Sequence, residues 1–337
     1  AKAEQLSKSF RQQAGIRRLM EFVCSFGLRP ILAMRMYKYY GAEALELLRD
    51  NPYILASVHI GGSFAEADRL ALEMGIDGYS ANRICAAIIF ELQHNSGNGH
   101  CFIPREQLAA ATAKLIGVEP ENVDENIETL ISGGQIRYEF IAGRNACYLP
   151  ELYEAETNAA EILARMCRRS FGDKADINKI IAKLEKSQHI SYAPLQKQVL
   201  ELALKNQVVV LTGGPGTGKT TVVARILASL LADNERLVIA GAAPTGKAAS
   251  NLDESILGAI RWMESDPELE DYAEMLYEAK IQSKTLHRLI LEPVNGKRLS
   301  RDYPLPADVL VVDECSMMDI DLADRLFSIL DPRRTRL

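Results

Sequence analysis

Residues 213–221 have the composition of a phosphate-binding loop. Gly213-Gly214-Pro215-Gly216-Thr217-Gly218-Lys219-Thr220 satisfies the pattern G-x-x-x-x-G-K-[ST], and Thr221 follows it directly. The glycines leave backbone N–H groups free to turn towards an anion, and the start of a following helix adds positive potential. In such a loop Lys219 reaches the β and γ phosphates, and the Thr220 hydroxyl binds Mg²⁺. These residues predict a nucleotide-binding site rather than an ordinary glycine turn.

A pair of carboxylates farther along the chain supplies the second half of such a site. Asp313-Glu314 follows the run Asp308–Val312, which predicts a third buried strand. Asp313 would hold Mg²⁺ together with Thr220, and Glu314 would orient or deprotonate the attacking water.

The flanking segments predict the elements that bring these residues together. Val208–Leu211 before the loop is a β-branched and aliphatic run, typical of a buried parallel strand, and Val222–Leu231 after it has helical spacing. Leu237–Ala240 predicts a second strand. Gln196 lies just before the first strand, where its amide can read the adenine edge.

The amino-acid composition indicates an ordinary globular protein. Of the 337 residues, 47% are hydrophobic and 25% charged, as in ordinary globular proteins, and no apolar run is long enough to cross a bilayer. The six scattered cysteines contain no C-x-x-C pair, which argues against structural zinc or a disulfide framework and favours a reducing cytoplasm.

The net charge of −6 is unevenly distributed. Residues 1–40 carry eight Lys/Arg and two Glu, which is 8 − 2 = +6 locally and leaves −12 for the rest. A basic N-terminal region is compatible with DNA contact, and equally with solvated helix faces.

Glycine-punctuated helices fill the N-terminal part. Helical segments meet at Gly27-Leu28-Arg29-Pro30 and at Ile60-Gly61-Gly62-Ser63-Phe64, which predicts helix-hairpin-helix units that grip a DNA phosphate without reading sequence. A small helical bundle is the alternative. Two helices, Arg105–Ile116 and Glu121–Ile131, and a β-hairpin within 99–150 predict a winged-helix-like unit, which either contacts DNA or mediates packing.

With these residues in view, the chain resembles the RecD/TraA family of superfamily 1B DNA helicases, in particular its longer branch with N-terminal helix-hairpin-helix repeats (exodeoxyribonuclease V alpha-subunit-like). The likeness rests on motif I at 213–221, motif Ia at 243–249, the motif Ib region at 285–289, motif II at 313–319, and landmarks at Asn51-Pro52-Tyr53 and Pro104-Arg105-Glu106.

The resemblance implies an α/β fold: a RecA-like P-loop NTPase domain with a parallel sheet, preceded by an all-α helix-hairpin-helix region and a small winged-helix-like α+β unit. The expected domains are 1–98 (helical), 99–150 (winged-helix-like), 151–189 (connecting helices) and 190–337 (first RecA-like motor domain, ending before motif III).

It also implies residue roles and partners. Gln196 would contact the adenine of ATP. Single-stranded DNA would lie on a face formed by Pro244, Thr245, Gly246, Lys247, Thr285 and His287. ATP hydrolysis would drive 5′ to 3′ translocation on single-stranded DNA and at duplex junctions, in repair, recombination or conjugation, in the cytoplasm and with partner subunits that are not identified.

Two departures from the family pattern qualify these expectations. The second hairpin usually reads Gly-Ile-Gly-Phe-Lys, whereas Gly61–Glu66 lacks the second glycine and the lysine and gains an acid, which puts its phosphate grip in doubt. The chain stops where motif III should begin, so this fragment alone is expected to be inactive.

The second hypothesis is a nucleotide-dependent regulatory or clamp ATPase that binds DNA without unwinding it. The third hypothesis is a generic P-loop kinase or GTPase, of which the GTPase is disfavoured because the sequence has no Asn-Lys-x-Asp motif.

Overall fold

The structure, a computed structural model, describes residues 2–169, 182, 185, 194–214, 219–234, 236–265, 267 and 270–337. The chain forms two compact units, one up to Tyr153 and one from Glu154. No helix among the described residues is long and apolar enough to cross a membrane.

The first unit begins with the predicted helical hairpins. Its helices are α1 (Lys2–Ser25), α2 (Pro30–Tyr40), α3 (Ala44–Asp50), α4 (Phe64–Glu73) and α5 (Ala81–Ser96), with a 3₁₀ helix at Pro52–Ala56 before α4. Pro30 is the first residue of α2, where its missing N–H costs nothing. Gly61 turns the second hairpin at a φ of +72°, a conformation that favours glycine. Helix α5 was not predicted.

The predicted winged-helix-like unit has the element order β-α-α-β-β. It consists of β1 (Phe102–Pro104), α6 (Arg105–Ile116), α7 (Pro120–Ser132), β2 (Arg137–Ile141) and β3 (Arg144–Tyr148). The antiparallel sheet has the order β1-β3-β2, and a two-residue turn at Ala142-Gly143, both with positive φ, joins β2 to β3. The helical region and this unit share one hydrophobic core, which includes the fully buried Leu32, Leu70 and Ile127.

The second unit is a parallel sheet with helices on both faces. Its elements are α8 (Pro150–Cys167, which starts in the first unit), α9 (Pro194–Lys205), α10 (Lys219–Asp233), β4 (Ile239–Ala243), α11 (Gly246–Glu264), α12 (Glu270–Glu278), β5 (Ser283–Thr285), α13 (Leu286–Leu291), β6 (Val309–Val312) and α14 (Ile320–Ser328). Val309 packs into the core with α9–α12, and its neighbour Leu310 into the core with α8, α13 and α14. Both faces are therefore covered, as parallel sheets require.

The strand order is β5-β4-β6, and backbone hydrogen bonds extend it by two segments. Arg336 donates its N–H to Asp308 (2.8 Å) and accepts from Leu310 (2.8 Å), so it lies beside β6. The next residue, Leu337, donates to Gln207 (2.7 Å) and accepts from Val209 (2.9 Å). In each pairing, one residue is bonded through its N–H to residue i of the neighbouring segment and through its carbonyl to residue i+2. This is the hydrogen-bond pattern of parallel strands.

The strand predicted at Val208–Leu211 is wrong as a regular strand. The segment has no assigned strand, and Val210 is 74% exposed. In the described chain its ladder is limited to the two bonds with Leu337, too few to make a continuous strand. The predicted strand Leu237–Ala240 begins two residues later, because the N–H of Val238 is bound by the Asp308 carboxylate (2.9 Å). The predicted helix at 177–187 lies outside the described residues except at positions 182 and 185.

Candidate functional site

The described part of the phosphate-binding loop holds its lysine against the loop backbone. Lys219 is the first residue of α10, and its Nζ donates to the carbonyls of Gly213 (2.6 Å) and Gly214 (2.8 Å). The ammonium therefore lies against the loop that would cradle phosphates. Pro215–Gly218 lie outside the described residues, as do the side chains of Gln196, Thr220 and Thr221.

The acidic pair lies where β6 ends. The N–H of Asp313 donates to the carbonyl of Ala242 on β4 (2.9 Å), which fixes the strand end, and its Oδ1 accepts the N–H of Glu314 (2.9 Å). Glu314 has a φ of +50° and is exposed, so the chain turns sharply out of the sheet there. A non-glycine residue in this region costs on the order of 1 kcal/mol, the kind of strain found at functional sites.

The ladder aligns the two segments that precede the two halves of the predicted nucleotide site. The 207–209 segment and β6 run parallel to each other, and Arg336-Leu337 lies between them. Two neighbour-to-neighbour strand spacings therefore separate their axes, which is about 10 Å. Both lead to the carboxyl edge of the sheet, where ligands bind in open α/β folds. The segment that leads into the phosphate-binding loop and the strand that ends before Asp313 therefore run to the same edge.

The donor set suits a hydrated Mg²⁺ with a nucleotide phosphate. Asp313 offers carboxylate oxygen, the ligand type that Mg²⁺ prefers, and Lys219 offers a cation for phosphate oxygen. The described residues contain no cluster of three or more His, Cys, Asp or Glu that could form a separate metal site.

The residues predicted to carry DNA lie on the neighbouring strands. Ala243 and Thr285 are register partners at the ends of β4 and β5, so the following segments leave the sheet side by side. Thr245, Gly246, Lys247 and His287 are exposed, and Pro244 is half-buried. The structure thus brings the six predicted residues to one edge.

Two of these residues also cap the N-terminus of a helix. The Thr245 hydroxyl accepts the N–H of Ala248 (3.2 Å) at the start of α11, and the Thr285 hydroxyl accepts the N–H of Arg288 (3.3 Å) at the start of α13. Each is therefore a helix cap, and a change there removes a cap as well as a candidate DNA contact.

The altered second hairpin is occupied by an acid from its own helix. The Glu66 carboxylate accepts the N–H (2.9 Å) and the hydroxyl (3.1 Å) of Ser63, and the Ser63 hydroxyl accepts the Glu66 N–H (3.1 Å), which makes a capping box. Arg29 from the first hairpin forms a two-pronged bond with the same carboxylate (2.9 Å each). The Arg29 guanidinium, with Ser63 second, lowers the pKa of the Glu66 carboxyl. The acid is therefore ionised at neutral pH.

The winged-helix-like unit carries an acidic helix. Residues 99–150 contain four Lys/Arg and seven Asp/Glu, a net charge of 4 − 7 = −3. Four acids lie on α7, and two of them, Asp124 and Glu128, bind Arg105 from α6. Acidic side chains repel the phosphate backbone, so this helix favours packing or protein contact over insertion in a DNA groove.

Sequence reasoning missed the residues that join the sheet segments. Gln207 is 1% exposed, and its Nε2 donates to the carbonyls of Pro332 (3.0 Å) and Thr335 (2.6 Å). Asp308 binds Arg334 (Nε–Oδ1 2.5 Å), which lowers the pKa of the carboxyl. These partners are far apart in sequence, so no local pattern could have revealed them.

Comparisons with known proteins agree with this arrangement. A family model described as the ATP-dependent RecD2 DNA helicase HHH domain matches residues 12–102, and one described as an AAA domain matches residues 196–337. The chain is 29% identical over 334 residues to the ATP-dependent RecD2 DNA helicase of Deinococcus radiodurans, which covers 96% of this chain and 43% of that protein.

Shorter matches reach RecD subunits of RecBCD enzymes. Identity is 43% over 143 residues with the subunit of Mycobacterium tuberculosis, covering 41% of this chain and 24% of that protein. Identity is also 43% over 152 residues with the RecD subunit of Haemophilus influenzae, which covers 42% of this chain and 22% of that protein. The chain spans less than half the length of these curated relatives.

Proposed function

We propose that the chain, which is similar to RecD-like helicases over an N-terminal helix-hairpin-helix region and a P-loop domain, contributes the DNA-binding region and first motor domain of an ATP-dependent DNA helicase. ATP hydrolysis would be coupled to translocation on single-stranded DNA, 5′ to 3′ by family resemblance, in repair, recombination or conjugation. The observation that supports the proposal is the parallel ladder, in which the segment leading to the phosphate-binding loop and the strand ending before Asp313-Glu314 run towards the same sheet edge.

The residues of that edge divide the chemistry among them. Lys219 would bind the β and γ phosphates by exchanging the two loop carbonyls for phosphate oxygens. Thr220 and Asp313 would hold Mg²⁺, which neutralises phosphate charge when bound. Glu314 would accept a proton from the attacking water, and its exposed position at the strand end leaves it accessible to water. Gln196 would recognise the adenine.

The neighbouring β4 and β5 ends would carry single-stranded DNA. Lys247 is an exposed cation there, and Thr245 and Gly246 beside it are exposed as well. Contacts of this kind read phosphate and not sequence.

We retain the domain boundaries 1–98, 99–150, 151–189 and 190–337 as part of this proposal. Duplex junctions and partner subunits of a recombination or conjugation complex belong to it as well. A cytoplasmic location is supported by six cysteines that are all free thiols.

Two substitutions test the assignment of the nucleotide site. Lys219→Ala should severely weaken the binding of a fluorescent ATP analogue with Mg²⁺, because the phosphate cation is lost. Glu314→Gln should bind the same analogue with wild-type affinity and hydrolyse ATP very slowly in the protein that contains the complete motor. A Lys219→Ala chain with wild-type affinity would refute the site, and a Glu314→Gln chain that is folded but fails to bind would refute the role of Glu314.

The chain spans less than half the length of its curated relatives, which gives a second test. Related NTPases gain ~10³–10⁵ in rate from an arginine supplied to the phosphates by another domain or protein. We therefore expect the 337-residue chain to bind ATP-Mg²⁺ weakly, to show negligible DNA-stimulated hydrolysis and to unwind nothing. Robust strand separation by this chain alone would overturn the two-domain motor. Hydrolysis stimulated by DNA without strand separation in the complete protein would instead indicate the clamp ATPase.

A further inference from the structure

An arginine far from the phosphate loop holds the end of helix α9. The Nη1 of Arg336 donates to the carbonyls of Ala203 (3.1 Å) and Leu204 (3.0 Å), in the last turn of the helix. Carbonyls of a last helical turn have no partner within the helix, and the helix dipole makes that end attractive to a cation. The side chain therefore caps α9 from outside.

The backbone of the same arginine is fixed in the sheet. It is bonded to Asp308 and Leu310 of the β6 segment, and the next residue is bonded to Gln207 and Val209. The side chain of Gln207 is buried and bonded to Pro332 and Thr335 of the same turn. Arg336 is thus anchored to the strand that ends in Asp313 while its guanidinium holds α9.

Helix α9 is also held in the nucleotide domain by apolar packing. Leu200 and Leu204 pack in the hydrophobic core with Leu227 and Leu231 of α10. Apolar packing is non-directional and permits small slides, whereas two hydrogen bonds to fixed carbonyls define a position along the helix axis. Gln196 lies in the first turn of α9, about 12 Å from Leu204 along the axis at 1.5 Å per residue.

We propose that Arg336 is a positioning residue for base recognition: by fixing the C-terminal end of α9 to the sheet, it sets the place of Gln196 relative to the phosphate loop. The inference rests on the proposed role of Gln196 as the adenine contact. A mere stabilising cap would affect the unfolding temperature and leave the choice of base unchanged.

The test compares the affinity for three ligands. Fluorescent ATP and GTP analogues report base recognition, and inorganic triphosphate, measured by competition, reports the phosphate loop alone. Arg336→Met keeps the apolar stem and removes the guanidinium. Arg334→Ala, which breaks the ion pair with Asp308 in the same turn and leaves α9 untouched, is the matched control.

Arg336→Met should reduce the ATP-to-GTP affinity ratio by roughly fivefold, the size of one lost hydrogen bond, and leave triphosphate affinity unchanged. Gln196→Ala should reduce the same ratio, and the double variant should be no worse than Gln196→Ala alone, because the arginine acts through the glutamine. Arg334→Ala should keep the wild-type ratio.

Each other result overturns the inference in an identifiable way. An Arg336→Met chain with a wild-type ratio, or a double variant with additive losses, shows that the arginine does not position Gln196. Loss of triphosphate binding in Arg336→Met, including loss through misfolding, shows a general structural role. A Gln196→Ala chain with an unchanged ratio refutes the adenine contact itself, and with it both this inference and that part of the proposed function.

Discussion

The second hairpin (Gly61–Glu66) holds the Glu66 carboxylate at the start of α4. Removing that charge should affect DNA binding differently from removing an acid elsewhere on the same helix. The Glu66 carboxylate fills the start of α4 and binds the Arg29 guanidinium through two 2.9 Å bonds. In the proposed DNA-binding role this carboxylate stands where a phosphate oxygen would be held, and it keeps Arg29 from the DNA. Glu66→Gln retains the shape and the amide oxygen but removes the charge.

The magnitude follows from counterion release. Each phosphate contact adds ~0.9 to the slope of log affinity against log salt on duplex DNA. If the Glu66→Gln substitution releases Arg29 and the Ser63 N–H to one phosphate, the slope should steepen by about 0.9, so a fourfold rise in salt should weaken binding by a further factor of ~3.5. Binding at low salt should be tighter than for the wild type.

Fluorescence anisotropy with a labelled duplex–single-strand junction, titrated at several salt concentrations, measures this slope. The matched control is Glu73→Gln on the same helix, where the acid is half exposed and lies 3.9 Å from Arg69. Both variants change the net charge by +1. Equal slopes for the two variants would mean that only net charge matters, and an unchanged slope for Glu66→Gln would refute the idea that the hairpin excludes phosphate through its own acid.

Arg83→Met should lower the free energy of unfolding by about 3 kcal/mol in urea titrations, because it leaves the half-buried Asp68 carboxylate without its 2.7 Å partner. The control Arg69→Met removes an exposed, loosely paired arginine and should cost under about 1 kcal/mol; similar losses in the two variants would contradict the importance of burial. A thiol reagent at pH 8 should label the exposed Cys315 and spare Cys147 until the protein unfolds, because burial raises the pKa of the Cys147 thiol to about 11. Mass spectrometry of peptides checks this, and rapid labelling of Cys147 in the folded chain would refute its burial.

Patterns that act over a few residues were readable from the sequence. The glycine loop with Lys219, the acidic pair after an apolar run, and helices such as Arg105–Ile116 follow from local backbone preference and short-range periodicity. The two helices and the β-hairpin within 99–150 and the parallel sheet followed from the succession of these elements, and the structure confirms them, whereas β1 (Phe102–Pro104) was not predicted.

Tertiary structure decided which surfaces remain available. The sequence indicated that an acid had entered the second hairpin, but not that Arg29, 37 residues away, would bind it. The left-handed turn at Glu314 and the capping roles of Thr245 and Thr285 also depended on the observed backbone.

The irregular segment before the phosphate loop shows the physical reason. An apolar run at Val208–Leu211 has strand propensity, yet a strand exists only where a neighbour supplies hydrogen bonds, and its pairing comes from Leu337 at the other end of the domain. Arg336 likewise reaches α9 across more than 130 residues. Local preference determines what each segment can become, whereas long-range pairing determines where it lies and which groups it leaves exposed.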